Sequence, residues 1–155
     1  MKTALMTLVV SIASLHTMTA RANDVPQQQL ANVKDKVIAW RRDIHQHPEL
    51  GNRETRTAEM AASHLEQLGI QVERNIAYTG VVGILTGDLP GPTVMLRADM
   101  DALPVTEKGD LPFKSTLTTH YRGVDVGIMH ACGHDTHVAM LMGAAEVLAG
   151  MKKQL

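Results

Sequence analysis

Apolar residues recur at intervals of three and four in three stretches of the chain, and between them the spacing shortens towards alternation. Leu30, Val33, Val37, Trp40 or Arg41, and Ile44 make one such stripe, which predicts a helix over residues 26–46. His47-Pro48 ends it, because the residue before a proline is driven out of the α region. Glu49-Leu50-Gly51-Asn52 predicts a turn. Ala58, Ala61, Ala62, Leu65 and Leu68 then share one face of a second helix over 54–68, with Gly69 placed as its C-terminal cap. Ile70, Val72 and Ile76 alternate with polar residues as a strand does, and 80–85 predicts a second, more buried strand. Asp88-Leu89-Pro90-Gly91-Pro92 is a turn signal before a third strand over 93–97, so 81–85 and 94–96 are placed to pair as a hairpin. Residues 104–130 carry little periodicity and predict a long loop, or a short strand with loops, of a kind that is uncommon unless functional. A final helix over 136–152 carries Met140, Leu141, Ala144, Val147 and Leu148 inward. The fold class is α/β, with helices packed on a mixed sheet and the polar clusters at strand ends or in loops.

The 155 residues suffice for about one domain with its own core. Aromatic residues make up only 3% of the chain against 10 methionines, so that core is expected to be aliphatic. A net charge of -1 provides no basic excess for phosphates, which argues against a nucleic-acid partner. At the N-terminus Lys2 precedes the almost wholly apolar run from Ala4 to Leu15, and Ala20-Arg21-Ala22 fits a small-x-small cleavage site. The expected organisation is a signal peptide over 1–22 and a mature chain from Asn23, exported to the periplasm or secreted. The apolar run is short for a membrane span, so no stable membrane anchor is expected after cleavage.

Chemistry concentrates in two places. Met129-His130-Ala131-Cys132-Gly133-His134-Asp135-Thr136-His137 sets one thiol, three imidazoles and a carboxylate in nine residues ahead of the last helix. Soft and borderline donors at this density suit a transition metal, and a helix N-terminus favours a thiolate. Cys132 is the only cysteine, so it has no intrachain disulfide partner, and ligation would protect it in an oxidising compartment. Burial of the thiol for packing is the plainer alternative, and a cysteine nucleophile with a histidine base is a weaker one. The second place is Arg97-Ala98-Asp99-Met100-Asp101, where the two acids share a face of an extended segment and can bridge metals or orient a ligand histidine. Arg97 fits neutralisation of these acids as well as a substrate contact. His45 and His47 near a helix C-terminus fit dipole stabilisation, and His64 fits a solvated face.

Three ordered motifs, Trp40-Arg41-Arg42-Asp43-Ile44-His45-Gln46-His47-Pro48-Glu49-Leu50, Leu96-Arg97-Ala98-Asp99-Met100-Asp101-Ala102-Leu103-Pro104 and His130-Ala131-Cys132-Gly133-His134-Asp135, closely resemble the M20 metallopeptidase family. Within it they are similar to the amidohydrolase branch of hippurate hydrolases, N-acyl-amino-acid amidohydrolases and indoleacetyl-amino-acid hydrolases. The resemblance implies a zinc-peptidase-like catalytic domain whose dinuclear site takes Mn, Zn, Co or Ni. It implies Cys132 and His134 as metal ligands and Asp101 as a bridging or supporting group. Asp99 stands where other branches carry a histidine ligand, a difference that argues against a direct ligand role for Asp99. The implied reaction is hydrolysis of a small N-acyl amino acid by metal-activated water, in a complete protein that can be homo-oligomeric. The family's general base, further ligands and lid or dimerisation domain follow the region matched here. The expectation is therefore an N-terminal, truncated part of the catalytic domain over 23–155, with weak metal binding and no turnover of its own as the alternative.

Overall fold

A computed structural model describes residues 27–155. The expected signal peptide lies outside these residues. Three helices form one layer: α1 (Gln27–Gln46), α2 (Thr55–Gln67) and α3 (His134–Gly150). Four strands, β1 (Gln71–Ile76), β2 (Gly80–Ile84), β3 (Thr118–Tyr121) and β4 (Val124–Gly127), make two separate antiparallel hairpins. A short 3₁₀ turn, Lys152–Gln154, follows α3.

The helices form where the stripes predict them. Ile44 of α1 and Val138 and Met142 of α3 are fully or almost fully buried, with Trp40, Met60, Ala98 and Met100 packed around them. Gly143 lets α1 and α3 approach closely, since a Cβ there would stand 2.5 Å from Val37 Cγ2. An alanine at 143 would gain about 1 kcal/mol in helix propensity. The stiff β-branched Val37 cannot easily withdraw, and overpacking costs about 1–3 kcal/mol. Gly143→Ala is therefore expected to lower stability by about 1 kcal/mol, measured as a shifted urea midpoint with unchanged slope. α3 buries Val138, Ala139, Met142, Gly143 and Val147, whereas Met140, expected inward, is 53% exposed. Its buried stripe is rotated from the expected one, because Val138 and Met142 pack against Ile44 of α1, and the helix starts at His134, two residues early.

Gly69, at φ +73°, ends α2 as anticipated, with its N–H on the Glu66 carbonyl at 2.9 Å and that of Ile70 on Leu65 at 3.1 Å. The other end is capped from outside the helix. Glu49 accepts from the backbone N–H groups of Arg56 (2.9 Å) and Thr57 (2.8 Å), so the turn after α1 holds α2 by its positive end.

The strands depart further from expectation. No mixed sheet is present among the described residues. Residues 93–97 form no strand, and Val94 and Met95 are 76% and 86% exposed. β2 pairs instead with β1, in register Gln71↔Ile84, Val72↔Gly83 and Glu73↔Val82. It is also mostly exposed rather than buried. Within the expected loop, β3 and β4 form a hairpin whose two-residue turn, Arg122 (φ 50°) and Gly123 (φ 86°), has the positive φ pair that hairpin twist favours.

Single β-bridges position the site. Leu103 and Met129 exchange two backbone hydrogen bonds of 3.0 and 3.1 Å, and the Ala102 N–H meets the Glu49 carbonyl at 2.7 Å. The turn after α1, the acidic segment and the segment entering α3 therefore run side by side. Leu50, Ala102 and Ile128 seal them from below as a second small core.

Candidate metal centre

Gly133 makes the geometry of the metal motif possible. Its φ of +79° breaks the chain sharply between Cys132 and the first residue of α3, a conformation that an L side chain resists by about 1–2 kcal/mol. His134 thus stands at the positive end of α3, facing the acidic segment that the Leu103–Met129 bridge holds alongside. Its Nδ1 lies 2.9 Å from the Asp101 carbonyl and 3.0 Å from Asp101 Oδ1. Both partners accept, so Nδ1 carries the hydrogen and Nε2 keeps a free lone pair in the neutral ring. That is the tautomer a metal-ligating histidine needs, fixed by a carboxylate as such histidines commonly are.

Three candidate ligand residues meet here. One ligand atom from each of Asp99, His134 and His137 lies within 4.8 Å of the others. Asp99 Oδ2 is 4.0 Å from His134 Nε2, and its other oxygen pairs with Arg97 at 2.5 Å. Arg97 therefore neutralises the acid knot. The rings of His134 and His137 stack obliquely with centroids 5.2 Å apart. Two imidazoles and a carboxylate at one helix end fit a borderline divalent ion such as zinc, cobalt, nickel or manganese. Cys132 is exposed on the adjoining turn with a free thiol, and it is not in this three-residue cluster. Of the residues singled out from sequence, the structure joins His134 to Asp101 and Asp99 and leaves Cys132 at the rim.

Behind the cluster lies a buried polar assembly that the sequence reading missed. His45, expected only to be stabilised by the helix dipole, is 3% exposed. Its Nδ1 stands 2.8 Å from Asp135 Oδ2, and its Nε2 stands 3.1 Å from Glu107 Oε1. Arg41 Nε reaches the same Asp135 oxygen at 2.8 Å. Glu107 Oε2 accepts the Ser115 N–H at 2.7 Å. Burial alone would raise the Glu107 carboxyl, but hydrogen bonds from His45 and Ser115 and the charges of His45 and Lys114 outweigh it and hold it below the usual range. The signal was available: Arg41 shared the apolar stripe of α1, and His45 lies one turn further on the same face. His47, the other helix-end histidine, fits its expectation better, with Nδ1 donating to the Asp43 carbonyl at 2.8 Å. His64, expected on a solvated face, instead packs edge-on against Trp40 with its Nε2 3.2 Å from the Met142 carbonyl. A cleft of about 680 Å³ opens beside it, lined by residues of α1, α2 and α3 but by none of the Asp99–His134–His137 cluster.

His130 is the remaining member of the motif, 4% exposed with neither ring nitrogen hydrogen-bonded. Burial, with help from the charges of His45 and His134 and against those of Asp135 and Asp101, pushes it down to about 4. The unfolded chain therefore binds its proton first, and stability rises with pH between about 4 and the ordinary histidine value of about 6.5. As pH falls through that window, the metal-free chain is expected to lose about 3 kcal/mol. His130→Leu should flatten the upper part of the slope, between about pH 6.5 and 5, where carboxylates contribute least. Urea unfolding at several pH values measures it.

Comparison with known proteins follows this geometry. Residues 95–155, which hold both polar segments, match the model of Peptidase family M20/M25/M40. The fold superposes with a TM-score of 0.71 and 36% identity on a dinuclear metal binding peptidase from the M20 family, the YXEP protein of Bacillus subtilis, covering 81% of this chain and 33% of that one. Residues 95–155 belong to the M20 peptidase family. Relatives in sequence include thermostable carboxypeptidase 1 of Saccharolobus solfataricus, 47% identical over 81% of this chain and 30% of that protein. An N-acyl-L-amino acid amidohydrolase of Geobacillus stearothermophilus is 41% identical over 79% of this chain and 31% of that protein. The chain spans under a third of the length of these relatives.

Proposed function

We propose that the whole protein is a metal-dependent amidohydrolase that cleaves the amide bond of small N-acyl amino acids. The observation that carries this is the His134 ring, whose Nδ1 is tied to Asp101 while Nε2 faces Asp99, with a ligand atom of His137 close by. A divalent ion bound there supplies Lewis acidity, which polarises an amide carbonyl and activates water at neutral pH. The chain's own residues do the rest. Asp101 fixes the His134 tautomer and ring plane. Arg97 pairs with Asp99. Cys132, exposed on the turn before α3, offers a thiolate as an additional donor. A cysteine nucleophile finds no support, because the exposed Cys132 thiol is hydrogen-bonded to no histidine among the described residues.

The substrate class rests on the relatives, which include the Geobacillus N-acyl-L-amino acid amidohydrolase and an IAA-amino acid hydrolase of Arabidopsis thaliana 46% identical over 75% of this chain. Export to the periplasm or beyond, and assembly into homo-oligomers, belong to the same proposal. The test is to isolate the protein at its native length and assay hippurate-like N-acyl amino acids with Mn, Zn, Co or Ni. Hydrolysis abolished by a chelator and restored by metal is expected. Stoichiometric metal with no hydrolysis of any N-acyl amino acid would overturn the proposal.

A further inference from the structure

We infer that His45 is a positioning residue for the metal centre, acting through Asp135 and anchored by Glu107. The inference rests on the metal reading of the site given above. Asp135 follows His134 directly in the first turn of α3, and its side chain is fully buried. One of its oxygens accepts from both His45 and Arg41, and the other has no protein partner. A carboxylate buried this way keeps its place only while its cationic and N–H partners remain. Arg41 is 32% exposed and adjustable, so the rigid partner is His45.

His45 is rigid because it is held from both sides. It is 3% exposed at the end of α1, with Glu107 on its far nitrogen and the Phe113 ring edge-on at 5.7 Å. Phe113 in turn lies under the guanidinium groups of Arg41 and Arg42, at 5.1 and 5.2 Å. The segment from Glu107 to Ser115 is thereby clamped to α1, and α1 to the start of α3. Because His134 and Asp135 are consecutive, pulling Asp135 towards α1 turns His134 the other way, onto Asp101 and Asp99. Loss of the His45 bond would free that turn to rotate as Asp135 seeks water. The ligand cluster would then splay.

The test uses the 155-residue chain, with zinc binding followed by calorimetric titration and the visible spectrum of the cobalt-saturated protein. His45→Phe keeps the bulk of the ring but donates nothing, and it is expected to weaken zinc binding about 10–100-fold, as loss of an outer partner of a metal ligand does. It should also shift the cobalt bands at saturation, which a change in global stability alone would not do. His45→Gln, whose amide still donates to Asp135, should recover part of the affinity. Glu107→Gln, a milder change, should lose several-fold and serves if His45→Phe does not fold. If the parent binds zinc and folded His45→Phe, or folded Glu107→Gln in its place, stays within twofold of it with an unchanged cobalt spectrum, the positioning role is overturned and the metal reading stands. If the parent itself binds no metal, both fall together.

Discussion

His134→Ala is expected to weaken divalent-metal binding by on the order of 100-fold or more. Loss of an outer partner of a ligand costs about 10–100-fold, and removing the ligand itself must exceed that. The geometry makes His134 the pivot of the cluster: Asp99 approaches its Nε2 at 4.0 Å, Asp101 holds its Nδ1, and His137 stacks beside it. Little stability should be lost with the side chain, because His134 is partly exposed and makes no core contact of the kind that Val138 and Met142 make. Metal titration by competition with a chromophoric chelator measures the effect, and circular dichroism checks that the helix is retained. Asp101→Asn keeps the backbone carbonyl as a partner for Nδ1, so it should fall at the mild end of the outer-partner range.

Asp135→Ala is expected to have the largest effect on stability, about 3 kcal/mol. Removing one member of a buried, hydrogen-bonded ion pair typically costs about 3–5 kcal/mol, because the partner is left charged and dry. Here Arg41 can swing into water and recover part of that, whereas His45 cannot. A further contribution comes from helix polarity, since Asp135 is the only acid in the first turn of α3. Thermal unfolding should drop by roughly 10 °C at this chain length, taking about 2–8 °C per kcal/mol across domain sizes. A fall within about 2 °C would mean that the assembly contributes nothing net.

The helices and their faces were legible because periodicity near 3.6 is a local signal, and α1, α2 and the Gly69 cap follow it closely. The strands were not, for two physical reasons. Residues 93–97 are apolar and β-branched enough to predict a strand, but a strand exists only with a hydrogen-bonding neighbour, and none of the described residues pairs with them. The β3–β4 hairpin reads Thr-Thr-His-Tyr-Arg-Gly-Val-Asp-Val-Gly, with short strands and few apolar residues. Its clue was the Arg122-Gly123 turn rather than any alternation. At the site, Asp101 and His134 were visible as motif residues, but their contact joins positions 33 residues apart. The His45–Asp135–Glu107 assembly was hidden for a different reason. Charged residues carry a strong prior for the surface, and only the position of Arg41 on an apolar stripe argued otherwise.

A cobalt(II) titration of the 155-residue chain, followed by visible and near-ultraviolet absorption and repeated on His134→Ala and Cys132→Ala, tests the central claim most directly. Saturable binding at defined stoichiometry is expected, with d–d bands lost in His134→Ala. A thiolate-to-cobalt charge-transfer band that disappears in Cys132→Ala is expected as well. Binding that is non-saturable, or that is unchanged when His134 is replaced, would contradict a metal centre built on the start of α3.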